Sequence, residues 1–98
     1  MTDTEFYLFV YDIHSMRTLR RVVKRLNRMN SLRIQKSVFE IQGDREDMEK
    51  LIKDVEKLVD RSTDKIAVIP LCSGDYDRAV FLGVNSRRPV RLPSFFVL

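Results

Sequence analysis

Hydrophobic and polar positions change period several times along this 98-residue chain, and each change marks an element. Phe6-Tyr7-Leu8-Phe9-Val10-Tyr11 is an unbroken apolar run stopped by Asp12, the pattern of a strand buried on both faces at the middle of a sheet. Ser15 can then cap a helix in which Leu19, Val22, Val23, Leu26 and Met29 recur at the spacing of one helical face, which predicts a helix over Met16 to Met29. From Ser31 to Gln42 the pattern is strand-like but changes parity: Leu32, Ile34 and Val38 are even, Phe39 and Ile41 odd. A tight reversal or bulge near Lys36-Ser37 accounts for the switch. Gly43 ends this stretch, and Asp44 opens a second helix with Met48, Leu51, Ile52, Val55, Leu58 and Val59 on one face. Lys65 to Leu71 and Ala79 to Val84 read as two further strands, separated by the turn-rich Ser73-Gly74-Asp75-Tyr76-Asp77.

That order predicts an α+β chain, a ferredoxin-like βαββαβ arrangement with an additional C-terminal strand, an antiparallel sheet and two helices on one face. The architecture hosts many unrelated functions, so the chemistry has to be argued from side chains. The length suits one domain over residues 1–98. The last stretch, Arg91-Leu92-Pro93-Ser94-Phe95-Phe96-Val97-Leu98, is too apolar for a solvated tip, and residues 87–98 are expected to pack on a dimer mate or another partner.

Charge changes the picture next. The net charge is +4 and the pI about 9.5, and the cations cluster: eight Lys or Arg lie between Arg17 and Lys36 with no acid among them. Helical periodicity puts Arg17, Arg20, Arg21, Lys24, Arg25 and Arg28 on the face opposite the apolar stripe of the first helix. Arg17, Arg20, Arg21, Lys24, Arg28 and Lys36 are therefore candidate contacts to a nucleic-acid backbone. A solvated helix surface is the alternative. The first helix also opens without an acid, which leaves its positive end uncompensated, whereas Asp44, Glu46, Asp47 and Glu49 suit the start of the second. No apolar run approaches membrane length, and Met1-Thr2-Asp3-Thr4-Glu5 lacks the basic start of a secretory signal, so a cytoplasmic location is expected. One cysteine, Cys72, excludes an internal disulfide and reads as a small buried hydrophobe near a strand end.

No phosphate-cradling glycine loop is present, and the single histidine, His14, argues against triad chemistry and reads as a solvated loop residue. Asp12 stands where a central strand ends beside a helix start, a place that commonly carries site residues. It either helps to cap the helix or binds a hard cation. Magnesium is often held by one or two carboxylates with waters and substrate phosphates, so Asp12 from two copies of the chain would suffice, and such a site could drive phosphodiester hydrolysis. Asp75 and Asp77 read as a solvated turn. Tyr11 and Phe39 could stack on bases, although apolar strands also supply core packing.

Three segments, Val10-Tyr11-Asp12-Ile13, Arg33-Ile34-Gln35-Lys36-Ser37-Val38-Phe39-Glu40 and Ile69-Pro70-Leu71-Cys72, resemble the CRISPR-associated protein two family. The chain departs from that pattern at Asn30, where a glycine is usual, and Asn tolerates the left-handed backbone such a glycine serves. The loop after Asp12 is short, and the tail from Arg87 follows no family pattern. The resemblance implies a ferredoxin-like homodimer with Asp12 near the two-fold axis as a magnesium ligand. It also implies metal-dependent cleavage of single-stranded RNA or double-stranded DNA, with Tyr11, Arg33 and Phe39 near the catalytic site. A second implied role is to bridge two dimers of the CRISPR-associated integrase during spacer acquisition. A non-catalytic scaffold, a toxin-like ribonuclease of the related virulence-associated family and a ferredoxin-like regulatory domain remain as alternatives.

Overall fold

A computed structural model describes residues 5–72 of the chain and, beyond them, Gly74, Arg78 and Val80. The element order is β1 (Glu5–Asp12), α1 (Met16–Leu26), β2 (Asn30–Gln35), β3 (Val38–Gly43), α2 (Arg45–Glu56) and β4 (Lys65–Leu71). The strands form one antiparallel sheet in the order β2-β3-β1-β4, the ferredoxin-like arrangement read from the sequence. The expected strand at Ala79 to Val84 and the tail over 87–98 lie outside the described residues, as does most of the Ser73 to Asp77 turn, of which Gly74 has helical backbone.

The apolar run of β1 belongs at the centre because it needs neighbours on both edges. It pairs with β3 from Glu5↔Gly43 to Val10↔Val38 and with β4 from Phe6↔Leu71 to Asp12↔Lys65. Alternation turns Tyr7, Phe9 and Tyr11 to the helices, where they join Phe39 and Ile41 of β3 with Val22, Leu26, Met48, Leu51 and Val55. Phe6 and Glu40 are nonetheless buried on the opposite face. A carboxylate that deep persists only with a compensating interaction.

Both helices start as their sequences dictate. Ser15 Oγ accepts from the Thr18 N–H at 3.3 Å, and Asp44 Oδ1 accepts from the Asp47 N–H at 2.8 Å, each satisfying an orphan donor of the first turn. Their ends come earlier than periodicity suggests. α1 stops at Leu26, where the Arg28 and Met29 N–H groups bond three residues back and the Ser31 hydroxyl takes the Leu26 carbonyl at 2.7 Å. Met29, Leu58 and Val59 still pack on the core from outside the helices, so the apolar stripe outlasts the helical backbone. The parity change has both expected causes: a Lys36-Ser37 reversal joins β2 to β3, and the register shifts between Arg33 and Gln35, leaving Ile34 buried. Asn30 is the first paired residue of β2 rather than a left-handed turn residue, because the tightened end of α1 already reverses the chain. Cys72 is exposed, not buried, because it follows an edge strand along which burial already alternates. Among the described residues, no helix is long and apolar enough to cross a membrane.

Candidate functional site

The C-terminal end of β1 gathers groups from three parts of the chain. Asp12 closes the strand with its side chain exposed, and cross-strand pairing sets Lys65, the first residue of β4, directly opposite. The next turn is held by Asp64, whose Oδ1 accepts from the His14 N–H at 3.0 Å and whose Oδ2 accepts from the Asp60 N–H at 2.8 Å. Those two N–H bonds hold the Asp64 carboxyl below its usual range, and bonds from the Ser62 side chain and backbone do the same for Asp60. A carboxylate pinned from the α2–β4 loop thus fixes the entry to α1, and the His14 side chain stays exposed, as a loop residue would. The first turn of α1 holds no acid of its own.

Tyr11, Arg33 and Phe39 come together one residue away, on the other face of the sheet. The Tyr11 hydroxyl donates to the Lys36 carbonyl at 2.9 Å, and Arg33 Nη2 donates to the same oxygen at 2.7 Å. Arg33 and Phe39 are register partners, and the Tyr11 and Phe39 rings tilt against each other with centroids 6.0 Å apart. Tyr11 is 5% and Phe39 3% exposed, so neither offers a ring face to a base in this conformation. Burial raises the Tyr11 phenol above its ordinary value, with the Arg33 charge and hydrogen bond opposing. The trio therefore clamps the Lys36-Ser37 turn instead of lining one pocket with Asp12, because alternation points positions 11 and 12 to opposite faces.

Arg17, Arg20, Arg21 and Lys24 are all exposed along α1, as periodicity requires, Arg28 is exposed in the turn after it, and Lys36 is exposed in the clamped turn. Arg25 departs from the set: its Nε binds Asp54 Oδ2 of α2 at 2.7 Å, and its side chain is only 12% exposed. Asp75 and Asp77 lie outside the described residues. Among the described residues, no three His, Cys, Asp or Glu side chains converge as a metal cage. One exposed carboxylate does match the habit of magnesium, which keeps several waters and takes its remaining ligands from phosphates or a second chain. Neither Lys65 nor Asp64 stands out as a site residue in the sequence. Lys65 and Asp64 depend on the β1–β4 register and a long loop, which leave no local mark, whereas Glu40, between Phe39 and Ile41, was a visible acid inside a strand.

The profile of the family described as CRISPR associated protein Cas2 matches residues 5–79, which includes every described element. A curated relative, CRISPR-associated endoribonuclease Cas2 4 of Rhodospirillum rubrum, is 31% identical over 91 residues, spanning 93% of this chain and 73% of its own. The crystal structure of Streptococcus pyogenes Cas2 at pH 6.5 superposes with a TM-score of 0.71 at 25% identity, over 80% of this chain and 99% of that one. A hypothetical protein from Thermus thermophilus gives a TM-score of 0.74 at 26% identity, over 84% of this chain and 94% of its own.

Proposed function

The chain belongs to the family of CRISPR associated protein Cas2, and on that premise we propose that it serves CRISPR adaptation as a homodimer that binds nucleic acid and cleaves phosphodiester bonds at Asp12. The observation that carries this reading is the exposed Asp12 carboxylate at the end of the central strand, inside the matched segment and beside a helix start that is free of acids. The relative named an endoribonuclease supports nuclease chemistry in general. Single-stranded RNA or double-stranded DNA is the substrate of this proposal.

Asp12 from each of two chains is the group to hold magnesium, at the ends of two β1 strands brought together. When bound, the metal supplies charge stabilisation at the phosphate and an activated water. The chain's own residues do the rest. Lys65, opposite Asp12, places a cation where negative charge grows on the phosphate. The positive end of α1, which has no acid in its first turn, favours an adjoining phosphate, with Arg17 beside it. Tyr11, Arg33 and Phe39 are positioning residues: Tyr11 and Arg33 fix the Lys36 carbonyl, Phe39 packs on the Tyr11 ring, and together they aim the Lys36-Ser37 turn. In adaptation the dimer bridges two dimers of the CRISPR-associated integrase, a role that rests on shape and basic surface.

Acquisition in cells tests the adaptation role. Asp12→Asn is expected to leave new spacer insertion intact in cells that carry the integrase and a repeat array, while joint neutralisation of Arg17, Arg20 and Arg21 to Gln abolishes it. Loss of acquisition by a correctly dimeric Asp12→Asn protein would contradict the separation of bridging from cleavage.

A further inference from the structure

Where α1 and α2 run side by side, the helix layer opens a groove of about 400 Å³ on the surface away from the sheet. Arg21 and Lys24 of α1, with Arg28 in the turn after it, form one wall, and Lys57, the C-cap of α2, faces them. The floor is the Arg25–Asp54 pair, with Leu58 beside it. We propose that this groove is a second nucleic-acid site, which holds the sugar-phosphate backbone of a single strand apart from the Asp12 end of the sheet. The proposal rests on the reading that the chain binds nucleic acid, and assigns part of that binding to a place and a chemistry.

The lining decides the class of ligand. Five of its seven residues are cations, and the one carboxylate, Asp54, is already held by Arg25 at 2.7 Å. The walls therefore offer donors and almost no acceptor. A peptide laid there would bring backbone N–H groups with nowhere to go, and each unmet donor costs free energy. A phosphodiester strand brings charged acceptors, which guanidinium forks bind in pairs. Size agrees as well. Arg21 to Leu26 covers about 7.5 Å of helix axis and Arg28 extends the wall just past its end, room for roughly two to three phosphates at the 3.4 Å rise of a DNA strand.

The structure also divides the basic face that periodicity left undivided. Arg21, Lys24 and Arg28 follow one another at three- and four-residue steps and line the groove together, whereas Arg20 does not line it. Lys57 lies in the acid-rich second half of the chain, so sequence clustering did not recruit it. Asp54 and Arg25 set the groove's width, because their contact joins the two helices.

The test is fluorescence anisotropy of a labelled oligo-dT titrated with full-length protein across a salt series without metal. The groove variant is Arg28→Gln with Lys57→Gln, and the charge-matched control is Arg45→Gln with Lys50→Gln in the N-terminal half of α2. The expected result is a salt slope reduced by about 1.4, near 0.7 for each lost contact to a single strand, with the control close to wild type. Equal effects of the two pairs, or an unchanged slope in the groove variant, would overturn the proposal. Polyglutamate that competes as well as oligo-dT of equal charge would overturn the phosphate assignment. Should the double variant lose its cooperative melt, Lys57→Gln alone, at an exposed helix cap, is expected to lower the slope by about 0.7. Asp12→Asn belongs to the other site and should leave this slope unchanged, so the two readings fail separately.

Discussion

Two donors share the Lys36 carbonyl, and that sharing governs what a substitution there does. Tyr11→Phe removes one hydrogen bond and leaves the oxygen with Arg33, so urea unfolding should show a loss of about 1 kcal/mol, within the 0.5–1.5 usual for one such bond. Adding Arg33→Ala strips the carbonyl of both, and the double variant should lose more than the sum of the singles. Purely additive losses would mean that the two bonds act independently. The raised Tyr11 phenol gives this clamp a pH signature. Its stabilisation is fully present below the ordinary value of 10.0 and is lost as pH rises through the higher folded value, so Tyr11→Phe should flatten the alkaline limb of the stability profile. The family resemblance grouped Tyr11, Arg33 and Phe39 but did not show how they meet. Their carbonyl partner is set by the bulge between Arg33 and Gln35, which only pairing with β3 defines.

At the scale of elements, α1 and α2 were readable because apolar spacing and capping residues agree, and the ends were not, because Met29, Leu58 and Val59 continue the stripe after the backbone has left the helix. The same one-dimensional reading grouped Arg25 with the solvent-facing cations. Its position at the edge of that face lets it reach Asp54, 29 residues on in sequence. The Asp54 carboxyl lies below its ordinary value of 3.8, first because Arg25 donates to it and then because the charges of Arg25, Lys57 and Arg28 surround it. A lowered carboxylate stabilises the fold above 3.8, and that contribution disappears as pH falls through the folded value. Asp54→Asn should therefore melt below wild type at neutral pH, with the two curves converging in acid. A constant gap in melting temperature at every pH would show that the bridge contributes nothing through its charge.

At the scale of the fold, the four strands in β2-β3-β1-β4 order and the two helices among the described residues put Asp12 at an exposed strand end while the residues nearest it in sequence serve the core. In the proposed reading the chemistry rests on one carboxylate per chain, and a second chain would complete the site. Position 12 was legible in the sequence because an apolar strand stops there before a helix cap. Lys65 was not, since only the antiparallel register brings β4 back to it. The most direct measurement is cleavage of end-labelled single-stranded RNA and double-stranded DNA in magnesium by purified wild-type and Asp12→Asn protein. The account predicts that the variant keeps its fold and its metal-free affinity while cleavage falls on the order of 10²–10³-fold, the scale of removing one electrostatic stabiliser of a transition state. Equal cleavage by the two proteins would contradict it.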